Sequence, residues 1–334
     1  MKVIKAFGPK DLRVVEAPIP EPGPGEIRIK VRASGICGSD KWVWYVSGKT
    51  DAIAGHEVSG EVDKLGDAVH SFAIGDPVIV NNVGGCGDCA ACRGGAFVNC
   101  PAWDGSRDVN NGFGEYMIAP VRNCMRILPG LDFIEAALVM DNWGTPYGGI
   151  KRGEIKPSMD VLVNGCGPIG QGAVALCAEI GAYVIAVDPI EFRRQYALKN
   201  GAKAALAPWE LPYTAQKLTH GAGVDVLLEC SGVGSTYDNC LKSLRVGGTL
   251  IAIGEGAEIN INSSDQIVRR SLSIAGTWYS TMPQASEIMQ LALQKRIDLK
   301  CFLTHVLKLD EVPGLFGSII NCENGIMKCV IAFD

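Results

Sequence analysis

A chain of 334 residues is longer than one typical core encloses, and 47% hydrophobic against 20% charged residues is the balance of a globular enzyme with two domains. A net charge of −5 without a long run of Lys or Arg argues against nucleic acid or an anionic membrane as partner. Residues 1–5 open no signal-peptide core and no run of about 18 apolar residues occurs, so a cytoplasmic location is expected.

Residues 1–35 alternate apolar and polar positions in short bursts. Ile27-Arg28-Ile29-Lys30-Val31-Arg32 is the clearest half-buried strand. Pro18, Pro20, Pro22 and Pro24 form a stiff spacer before it. Two glycine-flanked stretches follow, Gly35-Ile36-Cys37-Gly38-Ser39-Asp40 and Gly55-His56-Glu57-Val58-Ser59-Gly60. They supply a thiol, an imidazole and several carboxylates in about thirty residues, a set that suits zinc. From Gly55 to Val69 the spacing is G-H-E-x2-G-x5-G-x2-V. Strand segments at 58–65 and 77–81 complete a β-rich, barrel-like unit.

Cys86, Cys89, Cys92 and Cys100 follow the spacing C-x2-C-x2-C-x7-C, enough for a closed tetrahedral zinc site made of thiolates alone. The seven-residue last gap and the lack of a second cluster argue against iron–sulfur. The other eight cysteines read as small buried apolar residues, because without a secretory signal disulfides are not expected.

The second half begins with a short buried strand at 160–164. It ends in Gly165-Cys166-Gly167-Pro168-Ile169-Gly170, and a helix over 171–180 follows. In that context G-x-G-x-x-G is a dinucleotide fingerprint. The first glycine turns, the second lets backbone approach a pyrophosphate, and the third packs helix on strand. The next strand, 183–187, ends in Asp188, whose carboxylate can accept both ribose hydroxyls of NAD and would repel a 2′-phosphate. Further strands at 204–206, 225–229, 249–253 and 272–275 make six in a doubly wound arrangement. Beyond Thr277 an amphipathic helix over 283–295 and a strand-like tail close the chain.

These residues resemble the zinc-containing medium-chain alcohol dehydrogenases, the superfamily of alcohol, polyol and threonine dehydrogenases, in order along nearly the whole chain. The resemblance implies an α/β protein in which a GroES-like β-rich catalytic domain (1–147 and 278–334) carries an inserted Rossmann domain with a doubly wound parallel sheet (148–277). It implies that Cys37 and His56 bind a catalytic zinc, that Asp40 orients the His, that Ser39 accepts the substrate hydroxyl proton, and that the four-cysteine lobe is structural. Asp141 falls where the family places the third zinc ligand; its competing role is to cap a helix starting near Thr145. Glu57 stays open between an extra ligand and a group tuning the metal from outside. Thr145 matches a nicotinamide contact. Arg193 matches a basic residue over the adenine, with a solvated helix charge as the alternative.

Expected cofactors are therefore two zinc ions per chain and NAD. The expected substrate is a secondary alcohol or its ketone, drawn from polyols, sugars, cyclitols, amino alcohols or simple alcohols, and the expected assembly a homodimer or homotetramer. One departure stands out: Trp42, preceded by Lys41, occupies the position of a proton-relay His, so the relay has to end at water or Lys41. Trp42, Trp44, Trp143 and Tyr279 stay open between pocket and core. A zinc-independent quinone reductase would lack Cys37, His56 and the four-cysteine lobe. A non-catalytic relative would be expected to lose ligands or Asp188.

Overall fold

In the computed structural model, which describes residues 1–256 and 258–334, the chain divides into two units. The first comprises Met1–Met140, Thr281–Lys295 and Leu303–Asp334; the second comprises Asp141–Ser280 and Arg296–Phe302.

The spine of the first unit is the strand Glu26–Ile36. Ile27, Ile29 and Val31 point to one face and pack with Val58, Val62, Val78, Val80 and Met117, which is why the alternating pattern reads so clearly. From Ala33 to Ile36 every residue is buried, because the C-terminal strand Lys328–Ala332 runs antiparallel against that end. On the other side Glu57–Leu65 pairs along most of the spine, with Gly35 opposite Glu57. The strand order is Leu303–Leu307, Lys328–Ala332, Glu26–Ile36, Glu57–Leu65, Pro77–Val80 and Cys124–Arg126, with Tyr116–Pro120 added to the spine. A second cluster, including Ile36, Phe113, Leu307, Val312, Phe316 and Ile331, fills the remaining core. The helix Met282–Leu293 begins at the N-cap Thr281, whose hydroxyl accepts from Gln284 N while Gln284 reaches back, a full capping box.

The second unit is a six-stranded, all-parallel sheet in the order Ala204–Leu206, Tyr183–Val187, Asp160–Asn164, Val224–Glu229, Leu244–Ala252, Ser273–Gly276. Val161, Leu162 and Val163 are fully buried, as expected of a parallel strand covered on both faces. The order reverses between Asp160–Asn164 and Val224–Glu229, which makes the carboxyl ends of these two strands the switch point where such sheets bind ligands. Residues 296–302 return to this unit, a feature without a sequence signal. Trp143 Nε1 donates to Leu299 O at 3.1 Å, and the Trp143 ring lies 5.5 Å from that of Phe302. Trp143 is therefore core, and Tyr279 is buried as well. Among the described residues no helix is long and apolar enough to cross a membrane.

Candidate active site

Cys37 stands where the spine strand ends, at the N-cap of the short turn Gly38–Asp40. Its backbone N–H donates to Asp40 Oδ2 at 2.9 Å, and Asp40 N donates back to Cys37 O at 3.0 Å, so the turn closes on itself. The other Asp40 oxygen lies 3.3 Å from His56 Nδ1. Asp40 is 1% exposed, so this carboxylate serves the site and not solvent. A carboxylate at Nδ1 fixes the imidazole with Nε2 as the lone-pair nitrogen, the state a metal requires.

Glu57 follows in the strand Glu57–Leu65 and is fully buried. Its Oε1 accepts from Lys328 Nζ at 2.6 Å, and the same ammonium donates to Ile36 O at 2.8 Å. Strand register brings them together: Gly35 faces Glu57, and Cys329 faces Ile36. A Cβ at position 35 would sit 1.9 Å from Glu57 Oε2, so any larger residue there would displace the Glu57 carboxylate. Sequence reasoning misses Lys328. The available signal is one charge set inside the apolar run Ile326-Met327-Lys328-Cys329-Val330-Ile331.

Asp141 is buried in the π-helical turn Val139–Trp143. The division of the units falls on the Met140–Asp141 peptide, inside that single turn, so Asp141 is carried by the same turn as Val139 and Met140. Donor atoms of Cys37, His56, Glu57 and Asp141 all lie within 4.8 Å of one another. One sulfur, one imidazole nitrogen and carboxylate oxygen form a donor set that fits zinc. The helix Gly144–Arg152 takes Trp143 as its N-cap, without a side-chain cap bond from that residue. Thr145 Oγ1 donates to Asp141 Oδ1 at 2.7 Å and orients it. Ser39 and Lys41 are exposed, and Trp42 is 46% exposed on the short helix Lys41–Tyr45.

Cys86, Cys89, Cys92 and Cys100 form the other donor group, with their sulfurs within 4.8 Å of one another. Backbone N–H groups of Cys86, Cys89 and Cys92 donate to the sulfurs of Cys100, Cys86 and Cys89, each at 3.4 Å. The amides of Cys89 and Asp88 hold the Cys86 thiol down at about 6, whereas burial pushes Cys92 up to about 12. Cys86 and Cys92 sulfurs are 4.0 Å apart, close to the roughly 3.8 Å edge of a tetrahedron with about 2.3 Å Zn–S bonds. The cluster fits a closed zinc site.

At the switch point the three glycines of the fingerprint differ. Gly165 has φ +90°, and a Cβ there would strike Ser231. A Cβ on Gly170 would lie 1.8 Å from Gly165 O. Around Gly167, the N-cap of the helix Pro168–Ile180, a Cβ would meet nothing within 4 Å. Packing explains the first and third; open space at the second leaves the backbone accessible to a ligand. Pro168 and Ile169 open the helix, whose N-terminal amides suit an anion.

Asp188 ends the second strand but is only 2% exposed. Its oxygens accept from Cys166 N and Ile190 N, both at 2.8 Å, and Arg193 Nη1 lies 3.5 Å away. Arg193 is thus an ion-pair partner of Asp188. Buried Gln171 ties the same elements together, donating from Nε2 to Cys166 O and Arg193 O, each at 3.0 Å.

Two family models match the chain: the alcohol dehydrogenase GroES-like domain over residues 23–129 and the zinc-binding dehydrogenase domain over residues 168–294. The chain is 31% identical to L-threonine 3-dehydrogenase of Shewanella halifaxensis across all of both chains. It is also 31% identical to the uncharacterized zinc-type alcohol dehydrogenase-like protein YphC of Escherichia coli, over 97% of this chain and 95% of that one. The chain belongs to the zinc-binding alcohol dehydrogenase family. As a zinc-binding alcohol dehydrogenase it is an oxidoreductase that acts on alcohols with a nicotinamide dinucleotide. Among solved structures it resembles the cobalt- and zinc-bound thermostable alcohol dehydrogenase of Pyrobaculum aerophilum, with 27% identity, a TM-score of 0.86, and coverage of 100% and 99% of the two chains.

Proposed function

We propose that this zinc-binding alcohol dehydrogenase oxidises a secondary alcohol bearing a neighbouring polar group, or reduces the matching ketone, with NAD and two zinc ions of separate roles. The single observation that carries the reading is the convergence of Cys37, His56, Glu57 and Asp141, with Asp40 behind His56. Cys37, His56 and Asp141 would hold the catalytic ion, and Cys86, Cys89, Cys92 and Cys100 the structural one. When bound, the catalytic zinc supplies Lewis acidity that makes a hydroxyl beside it more acidic. Ser39, exposed two residues from Cys37, takes the substrate hydroxyl proton and releases one to water, which replaces a relay through position 42. A bound nicotinamide would supply the hydride acceptor for the carbinol carbon, the oxidised product being a ketone. Glu57, tied to Lys328, tunes the site from outside the ligand set.

The turn through Gly165, Gly167, Pro168, Ile169 and Gly170 would hold the diphosphate on its backbone N–H groups. Asp188, paired with Arg193, would accept from the ribose hydroxyls, and Thr145 keeps Asp141 aimed. Asp141 in place of a thiolate is a harder ligand, which favours substrates that bring an extra oxygen. A second copy of the chain is the proposed partner. Supporting it is the edge strand Ser273–Gly276, paired on one side and carrying Ile274 at 36% exposure. Net charge −5 without a long basic run supports an enzyme without nucleic-acid or anionic-membrane partners, and the cytoplasm is its proposed location.

The test is a panel of polyols, sugars, cyclitols, amino alcohols and simple alcohols, followed by nicotinamide absorbance with NAD and NADP side by side. Polar secondary alcohols with NAD are expected to give the highest kcat/KM. A hydrogen bond to a charged group is worth about 1.5–3 kcal/mol, so Asp188→Ala is expected to weaken NAD binding roughly ten- to a hundredfold and to narrow the gap to NADP. Equal kcat/KM for the two cofactors in wild type contradicts the assignment to Asp188.

A further inference from the structure

We infer that Glu229 is a positioning residue for the dinucleotide: its buried carboxylate fixes the loop 230–236 as one lip of the crevice opposite the Gly165 turn. The inference rests on the nicotinamide-dinucleotide reading and deepens it.

Glu229 is the last residue of Val224–Glu229 and lies in register with Asn164, the last residue of Asp160–Asn164. These are the two strands between which the sheet order reverses. Glu229 is fully buried, and the donors on its carboxylate are neutral. Oε1 accepts from Ser231 N at 3.0 Å, Asn164 Nδ2 at 3.1 Å and Ser231 Oγ. Oε2 accepts from Gly232 N at 3.2 Å and Tyr237 Oη at 3.3 Å. A buried carboxylate is costly unless it is hydrogen-bonded, and here most of the bonds come from the loop that follows it.

The network continues outward with consistent polarity. Having given its proton to Glu229, Ser231 Oγ accepts from Val233 N at 3.1 Å and from Asn164 Nδ2 at 3.3 Å. Asn164 Nδ2 also reaches Thr236 Oγ1 at 3.0 Å, and Thr236 Oγ1 donates to Val233 O at 2.8 Å. Asn164, the residue before Gly165, is thus bonded to the loop 230–236, and Ser231 is packed so tightly on Gly165 that a Cβ on Gly165 would lie 2.8 Å from Ser231 Cα. Gly232, at φ +64°, presses against Glu255 O on the far side. The loop 230–236 therefore hangs on one carboxylate, and Asn164 ties that carboxylate to the strand end that leads into the Gly165 turn. An apolar residue at 229 would still end the strand but would strand the N–H groups of Ser231 and Gly232.

The test compares Glu229→Gln with wild type in the full chain, using NAD as probe. Cofactor fluorescence titration, KM for NAD, kcat at saturating NAD and the thermal midpoint are read together. Glu229→Gln turns one acceptor oxygen into a donor facing donors. The expected result is a roughly tenfold or greater rise in Kd and KM for NAD, with kcat within about twofold of wild type. A lower thermal midpoint with Kd and KM for NAD unchanged overturns the inference and leaves Glu229 a structural residue. If Glu229→Gln does not fold, Tyr237→Phe removes a single donor from Oε2. It is expected to raise Kd for NAD roughly threefold, and an unchanged Kd there also overturns the inference. Wild type that binds neither NAD nor NADP defeats the dinucleotide reading itself, a result distinct from any difference between variants.

Discussion

Lys328→Met is expected to unfold far below wild type, because it leaves the Glu57 carboxylate buried without its ammonium. Lys328 and Glu57 are 1% and 0% exposed at the side chain and 2.6 Å apart. Removing one partner of such a pair costs about 3–5 kcal/mol. At about 2–4 °C per kcal/mol for a unit of this size, the thermal midpoint should fall by roughly 6–20 °C. The pair in itself is not the source of stability, since a buried ion pair is often no better than matched apolar residues. Glu57→Gln combined with Lys328→Met should therefore recover much of the loss, a coupling that a double-mutant cycle reads directly. The same ammonium holds Ile36 O, one residue before Cys37, so the single variant should also lose turnover. A thermal midpoint and kcat within error of wild type would show that the pair does not hold the site.

Cys92→Ser is expected to unravel the lobe around residues 84–109 while the dinucleotide unit persists. The helix Ala90–Arg93 is a single turn, too short to stand by propensity alone. What holds it is the clustering of four sulfurs, and a structural zinc contributes on the order of 10–16 kcal/mol in small metal-dependent folds. Loss of one thiolate should appear as proteolytic cleavage within the lobe, loss of one zinc per chain and poor yield of folded protein. NAD titration of whatever remains soluble should be close to normal, since Gly165–Gly170 and Asp188 lie in the other unit. Full zinc content with a protease-resistant lobe would mean that the four cysteines do not form one metal site.

Much of this is legible in the sequence because local chemistry and global fold agree in these stretches. The period-two pattern of residues 27–32, the glycine fingerprint after a buried strand, and the four-cysteine spacing each carry their own physical reason. Asp40 can be paired with His56 only through the family resemblance, since fifteen residues lie between them and the segment that joins them has no local signature of the pairing. Lys328 is invisible to local patterns because its partner is 271 residues away, and only strand register makes them neighbours. Glu229 and Gln171 look like ordinary polar residues along the chain. A buried network is a property of converging loops, and sequence spacing does not encode it. Asp188 reads as an open acceptor at a strand end, yet Arg193 and two backbone amides cover it.

The most direct test is zinc content measured beside turnover in wild type and Cys37→Ala. Two zinc ions per chain are expected in wild type. Cys37→Ala should be folded, hold one zinc, bind NAD normally and turn over no alcohol. Active wild type without zinc, or Cys37→Ala with undiminished zinc and turnover, would contradict the account.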